Sequence, residues 1–365
     1  MPADPRRSNV DYRKLTSGLL LVLAVIAAGG VLKLTASVVQ PLVIALLLSF
    51  VLSPLVDWLH RLRLPWFAAI IAVILLLLAF GSLVAFVFYT SVQSLVRLFP
   101  RYVNRLLELL RELIELFELP PELILEFDIT RQLGTYLFAL SGNFLSLLGG
   151  VTMVLIFVLF LLLEKPYLRP KVMEALQGPR TEKLWHIVGT TNAQIGRYLS
   201  LKLVISLVTG FLVWGSFTLV GVDFAFIWGV LSFLFNFIPS IGSIIVGVTS
   251  FGFAIVQFYP DFGPIAGAGA SMLAIQTIVG NIIDPKLLGD SLKISPVVIL
   301  FSLLFWGWLW GVMGLFLAVP LTVAMKIVFE NIPGLEPVGI LMGRSDVHEA
   351  SVPRDHLIHD EPDEE

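Results

Sequence analysis

Two short clusters hold most of the polar chemistry in an otherwise apolar sequence. The first is Asn236, Pro239, Ser240, Gly242 and Ser243 in NFIPSIGS; the second is Gln276, Asn281 and Asp284 in QTIVGNIIDPKLLGDSLKISP. Amide and hydroxyl side chains donate and accept hydrogen bonds without carrying charge, which suits them to replace water around an uncharged, polyol-like solute. Pro239 removes a backbone donor and its ring crowds the carbonyl of Phe235, while Gly242 admits conformations that other residues avoid. Helical bonding should therefore fail at 236–243. In a membrane such a failure is tolerated only where protein or a water-filled cavity receives the freed groups. The segment is then either a kinked or re-entrant helix whose polar residues mend the backbone, or one wall of a permeation path.

In the second cluster, Asp284 stands directly before Pro285 and is placed to end a span. With Lys286, Asp290 and Lys293 it has the look of a solvated loop. Gln276 and Asn281 sit inside or at the edge of an apolar helix and should face the bundle or a pathway. The candidate path residues are thus Asn236, Pro239, Ser240, Gly242, Ser243, Gln276, Asn281 and Asp284. No catalytic residues are expected. The chain has no phosphate-binding G-x-x-x-x-G-K-[ST] loop, no H-E-x-x-H and no G-x-S-x-G. It has no cysteine, and its five histidines are scattered over loops and tail, so no metal site and no cofactor are expected.

The elements that position these residues are membrane helices. Of 365 residues 57% are hydrophobic and only 14% charged, and apolar stretches long enough to cross a hydrocarbon core recur along most of the chain. The class is all-α: a polytopic helical bundle of about 8 spans, drawn at 16–34, 36–56, 66–90, 142–164, 200–220, 223–258, 263–283 and 295–330. The first is expected to be a retained helix, not a signal peptide. Residues 223–258 and 295–330 would each make a straight helix of roughly 54 Å, far more than a core of about 30 Å, so each must be broken, re-entrant or paired.

Basic residues gather at the N-terminus (Arg6, Arg7, Arg13, Lys14), after the second span (Arg61, Arg63) and after the fourth (from Lys165 to Lys202), which places both termini in the cytoplasm. Five regions follow: N-terminal helices at 1–90, an amphipathic extramembrane insertion at 91–141, the fourth span and a cytoplasmic connector at 142–199, a core of broken helices at 200–330, and an acidic, disordered tail at 331–365. Within the insertion, apolar residues from Leu95 to Phe117 recur at three- and four-residue steps. That helix is either a cap on the bundle or membrane surface, or a contact between subunits. Lys33, Glu164, Lys202 and Lys326 fall near span ends and can snorkel to the interface. Trp306, Trp308 and Trp310 have the density of an interfacial aromatic belt. Gly263, Gly267 and Ser271, and likewise Gly307 and Gly311, form small-xxx-small faces for close helix packing.

The C-terminal half, from QIGRYLSLKLVIS to AVPLTVAMKI, resembles the AI-2E family of bacterial transporters. NFIPSIGSII and NIIDPKLLGDSLKISPVVILFSLLFWGWLWGVMGLFLAVPLT stand in the expected order and spacing. The matched positions are Asn236, Pro239, Gly242, Asn281, Asp284, Pro285, Gly289 and Pro320. Where relatives often carry Glu this chain has Asp284, and where they carry Gly-Pro-Val-Gly it has Gly311-Val312-Met313-Gly314. The resemblance implies a homo-oligomer, a pentamer, in the bacterial inner membrane that exports a small hydrophilic solute such as the quorum-sensing signal autoinducer-2. Some relatives are described as sodium or lithium/proton antiporters, for which Asp284 would be the carboxylate. A third possibility is a non-transporting scaffold that works through the insertion or the tail. The expected partners are the lipid bilayer and a small-molecule solute; no nucleic acid is expected.

Overall fold

The computed structural model describes residues 12–118, 144–175, 179–239, 241–288, 294–332 and 334–343. Ser240, Gly289, residues 119–141 of the expected insertion and the acidic tail beyond residue 343 lie outside that set. The described residues fold into eleven α-helices and one π-helical segment. In chain order these are α1 (Tyr12–Leu34), α2 (Ala36–Arg61), α3 (Trp66–Leu116), α4 (Phe144–Ala175), α5 (Pro179–Val220), α6 (Ala225–Phe235) and α7 (Ile241–Phe258). There follow α8 (Phe262–Ile275), the π segment (Gln276–Ile283), α9 (Asp284–Leu288), α10 (Pro296–Asn331) and α11 (Glu336–Met342). Seven helices among the described residues are long and apolar enough to cross a membrane.

The predicted spans 16–34 and 36–56 are joined through one residue. Thr35 has φ −94° and ψ 11°, its N–H donates to Val31, and its carbonyl accepts from Val38 and Val39. Helical bonding continues on either side, so the axis bends at Thr35 without reversing. The bend frees the carbonyl of Leu32, and the Trp310 indole donates to it at 3.1 Å.

The α2, α3 and α4 helices share one apolar core that includes Ala45, Val56, Ile70, Val73, Val158 and Leu162. The α3 helix is 51 residues long, about 77 Å. The amphipathic stretch expected as a separate insertion is, up to Leu116, the continuation of this helix. Its second half reaches the turn after α5, where Tyr102 donates to the Asp223 carboxylate, and the turn after α7, where Arg105 Nη2 donates to the Tyr259 carbonyl at 2.6 Å.

Both over-long apolar runs are hairpins. At 223–258, α6 and α7 run in opposite directions. The Asp223 N–H donates to Gln257 Oε1 at 2.8 Å and Gln257 Nε2 donates to the Gly221 carbonyl at 2.9 Å. The run therefore begins and ends at one place. The α6 arm has 11 residues, about 17 Å, roughly half of a hydrocarbon core. Asn236–Pro239 and the start of α7 at Ile241 lie at the tip. Gly242 there lies so close to the end of α6 that a Cβ would sit 1.8 Å from the Phe235 carbonyl oxygen.

Within α10 the chain turns at Gly311, whose φ of 63° and ψ of −140° are far from helical. Arms of about 22 Å (296–310) and about 30 Å (312–331) fold together. A Cβ on Gly314 would lie 1.8 Å from the Trp306 carbonyl oxygen. The base is closed by the Ile294–Gly343 bridge and by Ser295 N–H donating to Met342. The span from Phe262 through the π segment separates the two bases, so the hairpins enter from opposite ends. Their tips meet, with Ile238 packing in the cluster that holds Trp306, Leu317 and Ala318, and Phe235 and Phe316 centroids 6.4 Å apart.

Two expectations change here. Trp306 and Trp310 are buried, not belted at an interface, because their four-residue spacing puts both on the inner face of a hairpin arm that needs bulk. Trp308 alone faces outward, with Lys33 Nζ 4.5 Å from its ring centroid. The segment after Asn331 forms α11, whose Gly339 packs against Glu330.

The hairpins give a direct prediction. Gly242→Ala and Gly314→Ala should each cost more than about 2 kcal/mol, since backbone must move to admit the methyl. Gly252→Ala, with nothing within 4 Å, should stay within about 1 kcal/mol of wild type. Thermal unfolding of the three purified variants checks it.

Candidate functional site

Pro285 explains the local shape of one wall. It has no N–H to give the carbonyl of Asn281 and its ring would crowd that carbonyl in an α-helix. The chain widens to a π-helix over Gln276–Ile283, and the Asp284 N–H donates to Val279, five residues back. Such segments are rare and cluster at functional sites. On the facing wall, Pro239 and Gly242 end α6 and turn the chain into α7. Asn236 at that turn is buried, and its Nδ2 donates to Ser206 Oγ on α5 at 3.0 Å.

Between the hairpin tip and the π segment lies a cavity of about 940 Å³. Asn236, Pro239 and Ser243 line it from the hairpin, and Gln276, Asn281 and Asp284 line it from the π segment and the start of α9. The two sequence clusters are thus brought together across one space. Gly242 is buried against Phe235 and does not line the cavity, and Ser240 falls outside the described residues. The opposite sides carry Gly247, Ala266, Gly269 and Ala270, whose small side chains leave room. Phe251 covers Gly269, where a Cβ would come within 2.8 Å of its ring.

Asp284 is not in a solvated loop. It begins α9, and Lys202 Nζ on α5 donates to its Oδ2 at 2.8 Å, with side-chain exposures of 5% for Lys202 and 21% for Asp284. Asp284 Oδ1 is buried with no hydrogen-bond partner. Lys202 does not snorkel, since a carboxylate is within reach inside the protein. Lys326 behaves alike, buried and bonded to Glu330 at 2.6 Å. Nothing in the sequence singles out Lys202: it follows a run of basic residues, and its partner is 82 positions away. Lys326 and Glu330 stand four apart, a spacing that signals a pair on a helix.

The residues of the two small-xxx-small faces have varied surroundings. Gly263 N–H donates to Asp261 at the start of α8, Gly267 faces Val220, and Ser271 bonds the Ala268 carbonyl. Gly307 faces Leu315 and Gly311 makes the second hairpin's turn. A close glycine-to-glycine contact between separate helices is elsewhere. Gly210 on α5 and Gly229 on α6 meet so closely that a Cβ on either would approach the other's carbonyl oxygen to 2.8 Å. These two are 19 positions apart, so no spacing within one helix marks them. Among the described residues no group of three or more His, Cys, Asp or Glu could hold a metal ion.

Comparison with known proteins gives a consistent outcome. The sequence model of the AI-2E family transporters matches residues 19–334. YhhT of Escherichia coli (strain K12) is 35% identical over 335 residues, covering 89% of this chain and 93% of that protein. The AI-2 transport protein TqsA of the same organism is 30% identical over 332 residues, covering 89% and 94%. A relative from Borreliella burgdorferi is 31% identical over 318 residues, covering 87% and 88%.

Since the chain contains no cysteine, single cysteines can report on the cavity. Cysteines replacing Ser243, Ala270 or Asn281 should react with a water-soluble maleimide at least about tenfold faster than one replacing the fully buried Ala254. Equal rates at all four positions would mean that water does not enter.

Proposed function

The chain belongs to the AI-2E transporter family, and from that premise we propose that this integral membrane transporter exports a small, uncharged, hydroxylated solute of the autoinducer-2 kind. The observation that carries the proposal is the cavity at the hairpin tip, where Asn236, Ser243, Gln276 and Asn281 converge from two interrupted helices. Amide and hydroxyl groups take the place of the solute's hydration, and apolar neighbours exclude competing water. Interrupted helices support this role because their ends carry backbone groups that ordinary helix bonding leaves available to a substrate. The location is the bacterial inner membrane with the C-terminus in the cytoplasm, supported by the basic residues of the loops after α2 and α4. A homo-oligomer fits the many large apolar side chains that α1 and α3 expose, Leu23, Ile26, Leu34 and Phe86 among them.

The test is flux of autoinducer-2 in proteoliposomes. Asn236→Ala and Asn281→Ala should each lower it at least about tenfold, the value of one or two lost hydrogen bonds to a bound solute. Unchanged flux in correctly folded variants removes these residues from the path.

One observation favours a second reading, cation/proton antiport. The buried, unpartnered Oδ1 of Asp284 is an acceptor available to a sodium or lithium ion. That reading expects pH-dependent sodium flux that disappears in Asp284→Asn. Flux of autoinducer-2 that is insensitive to sodium and to pH would favour the first.

A further inference from the structure

The cavity contains one feature that solute hydrogen bonding does not use, the ion pair between Lys202 and Asp284. Among the described residues that line the cavity, these two are the only charged ones. They come from different elements, α5 and α9, so the fold places them together and local helix spacing does not. Lys202 Nζ is the only hydrogen-bond donor that the Asp284 carboxylate has among the described residues, since Oδ1 is buried without a partner. An uncompensated charge in a low-dielectric space attracts counter-charge strongly and repels like charge.

We propose that Lys202 sets the charge selectivity of this cavity: by cancelling Asp284 it keeps the site neutral, so that uncharged solutes are held and both anions and cations are refused. This rests on the cavity being the solute path and names the class of solute that the path takes. Lys202 acts through Asp284 and is a positioning residue in that sense. Removing either partner converts the site. Asp284→Asn leaves a buried ammonium and a preference for anions, and Lys202→Gln leaves a buried carboxylate and a preference for cations. The exchange of both, Lys202→Asp with Asp284→Lys, restores neutrality.

The experiment is calorimetric titration of the full chain in nanodiscs with three probes of one carbon skeleton: ribitol, ribonate and ribitylamine. Wild type should favour ribitol over both charged probes. Asp284→Asn should gain about tenfold for ribonate relative to ribitol, and Lys202→Gln about tenfold for ribitylamine. The double exchange should return the wild-type order. A pair that serves only as a structural staple moves stability and leaves the order of the three probes as it was. Single variants that unfold no more than a few degrees early and keep the wild-type order overturn the assignment. A wild-type protein with no saturable ribitol binding overturns it too, as does one that takes a charged probe as well as ribitol. The path itself is judged separately. If Asn236→Ala leaves autoinducer-2 flux intact the path reading falls, whatever the order of the probes; an unmoved order with flux that depends on Asn236 removes the selectivity role alone.

Discussion

A main-chain N–H or C=O inside a bilayer has no water to bond and must be satisfied by the protein, at a cost of several kcal/mol where it is not. This constraint governs the C-terminal half of the chain. Two runs of apolar residues are too long for one crossing, and each is divided where a glycine lets backbone meet backbone: Gly242 under the Phe235 carbonyl, Gly314 under that of Trp306. At the first division the backbone bonds itself, with Ile238 N–H donating to the Phe235 carbonyl at 2.9 Å and Gly242 N–H to the Ile238 carbonyl at 3.2 Å, while the Asn236 side chain pairs with Ser206 on α5. The Leu32 carbonyl, released by the bend at Thr35, receives the Trp310 indole. A third interruption, the π segment before Pro285, widens the helix without dividing it. Because the hairpin tip and the π segment face each other, their departures from α-helix open one shared space where unbroken helices would have packed.

The same scarcity of water explains the charges. Lys202 and Lys326 are buried among helices that are otherwise apolar, and each has a carboxylate against it. The Lys202–Asp284 pair also joins α5 to the start of α9, so it fixes the lower end of the π segment against the helix that holds Asn236. Ser206 and Lys202 stand one helical turn apart on α5. That one stretch of α5 therefore anchors both walls of the cavity, the hairpin tip through a hydrogen bond and the π segment through an ion pair.

Much of this organisation is legible in the sequence because it follows from length and from residues with one dominant physical effect. A 36-residue apolar run cannot be a single span, and Pro239 and Gly242 mark where the first one turns. Gly311 and Gly314 lie in the tip of the second. The polar residues Asn236, Ser243, Gln276 and Asn281 stand out against their surroundings for the same reason. What the sequence hides is pairing at a distance. Lys202 looks like one more interfacial lysine until α9 brings Asp284 to it, and the Gly210–Gly229 contact joins two helices whose own patterns show nothing unusual. The tryptophans mislead because a belt and a buried hairpin arm draw on the same residue type; only the fold-back at Gly311 decides that Trp306 and Trp310 face inward. The division at Thr35 coincides with the boundary between the first two predicted spans, but that the chain continues there without reversing is hidden.

The polar restraints on the first hairpin are distributed unevenly. Its base is held by both ends of the Gln257 side chain, by Tyr102 on Asp223 and by Arg105 on the Tyr259 carbonyl. Rings of Tyr102, Phe224, Trp228 and Phe253 pack beside them in tilted and edge-to-face pairs. At the tip the described residues show one side-chain hydrogen bond to another element, Asn236–Ser206, and apolar contacts in a cluster shared by α2, α5 and the second hairpin. Apolar contacts are non-directional, so sliding one such surface over another costs far less than breaking several aligned hydrogen bonds at once. Among the described residues the base of the hairpin therefore carries more directional restraint than its tip. The less restrained end is also the one at which Asn236, Ile238 and Pro239 border the cavity.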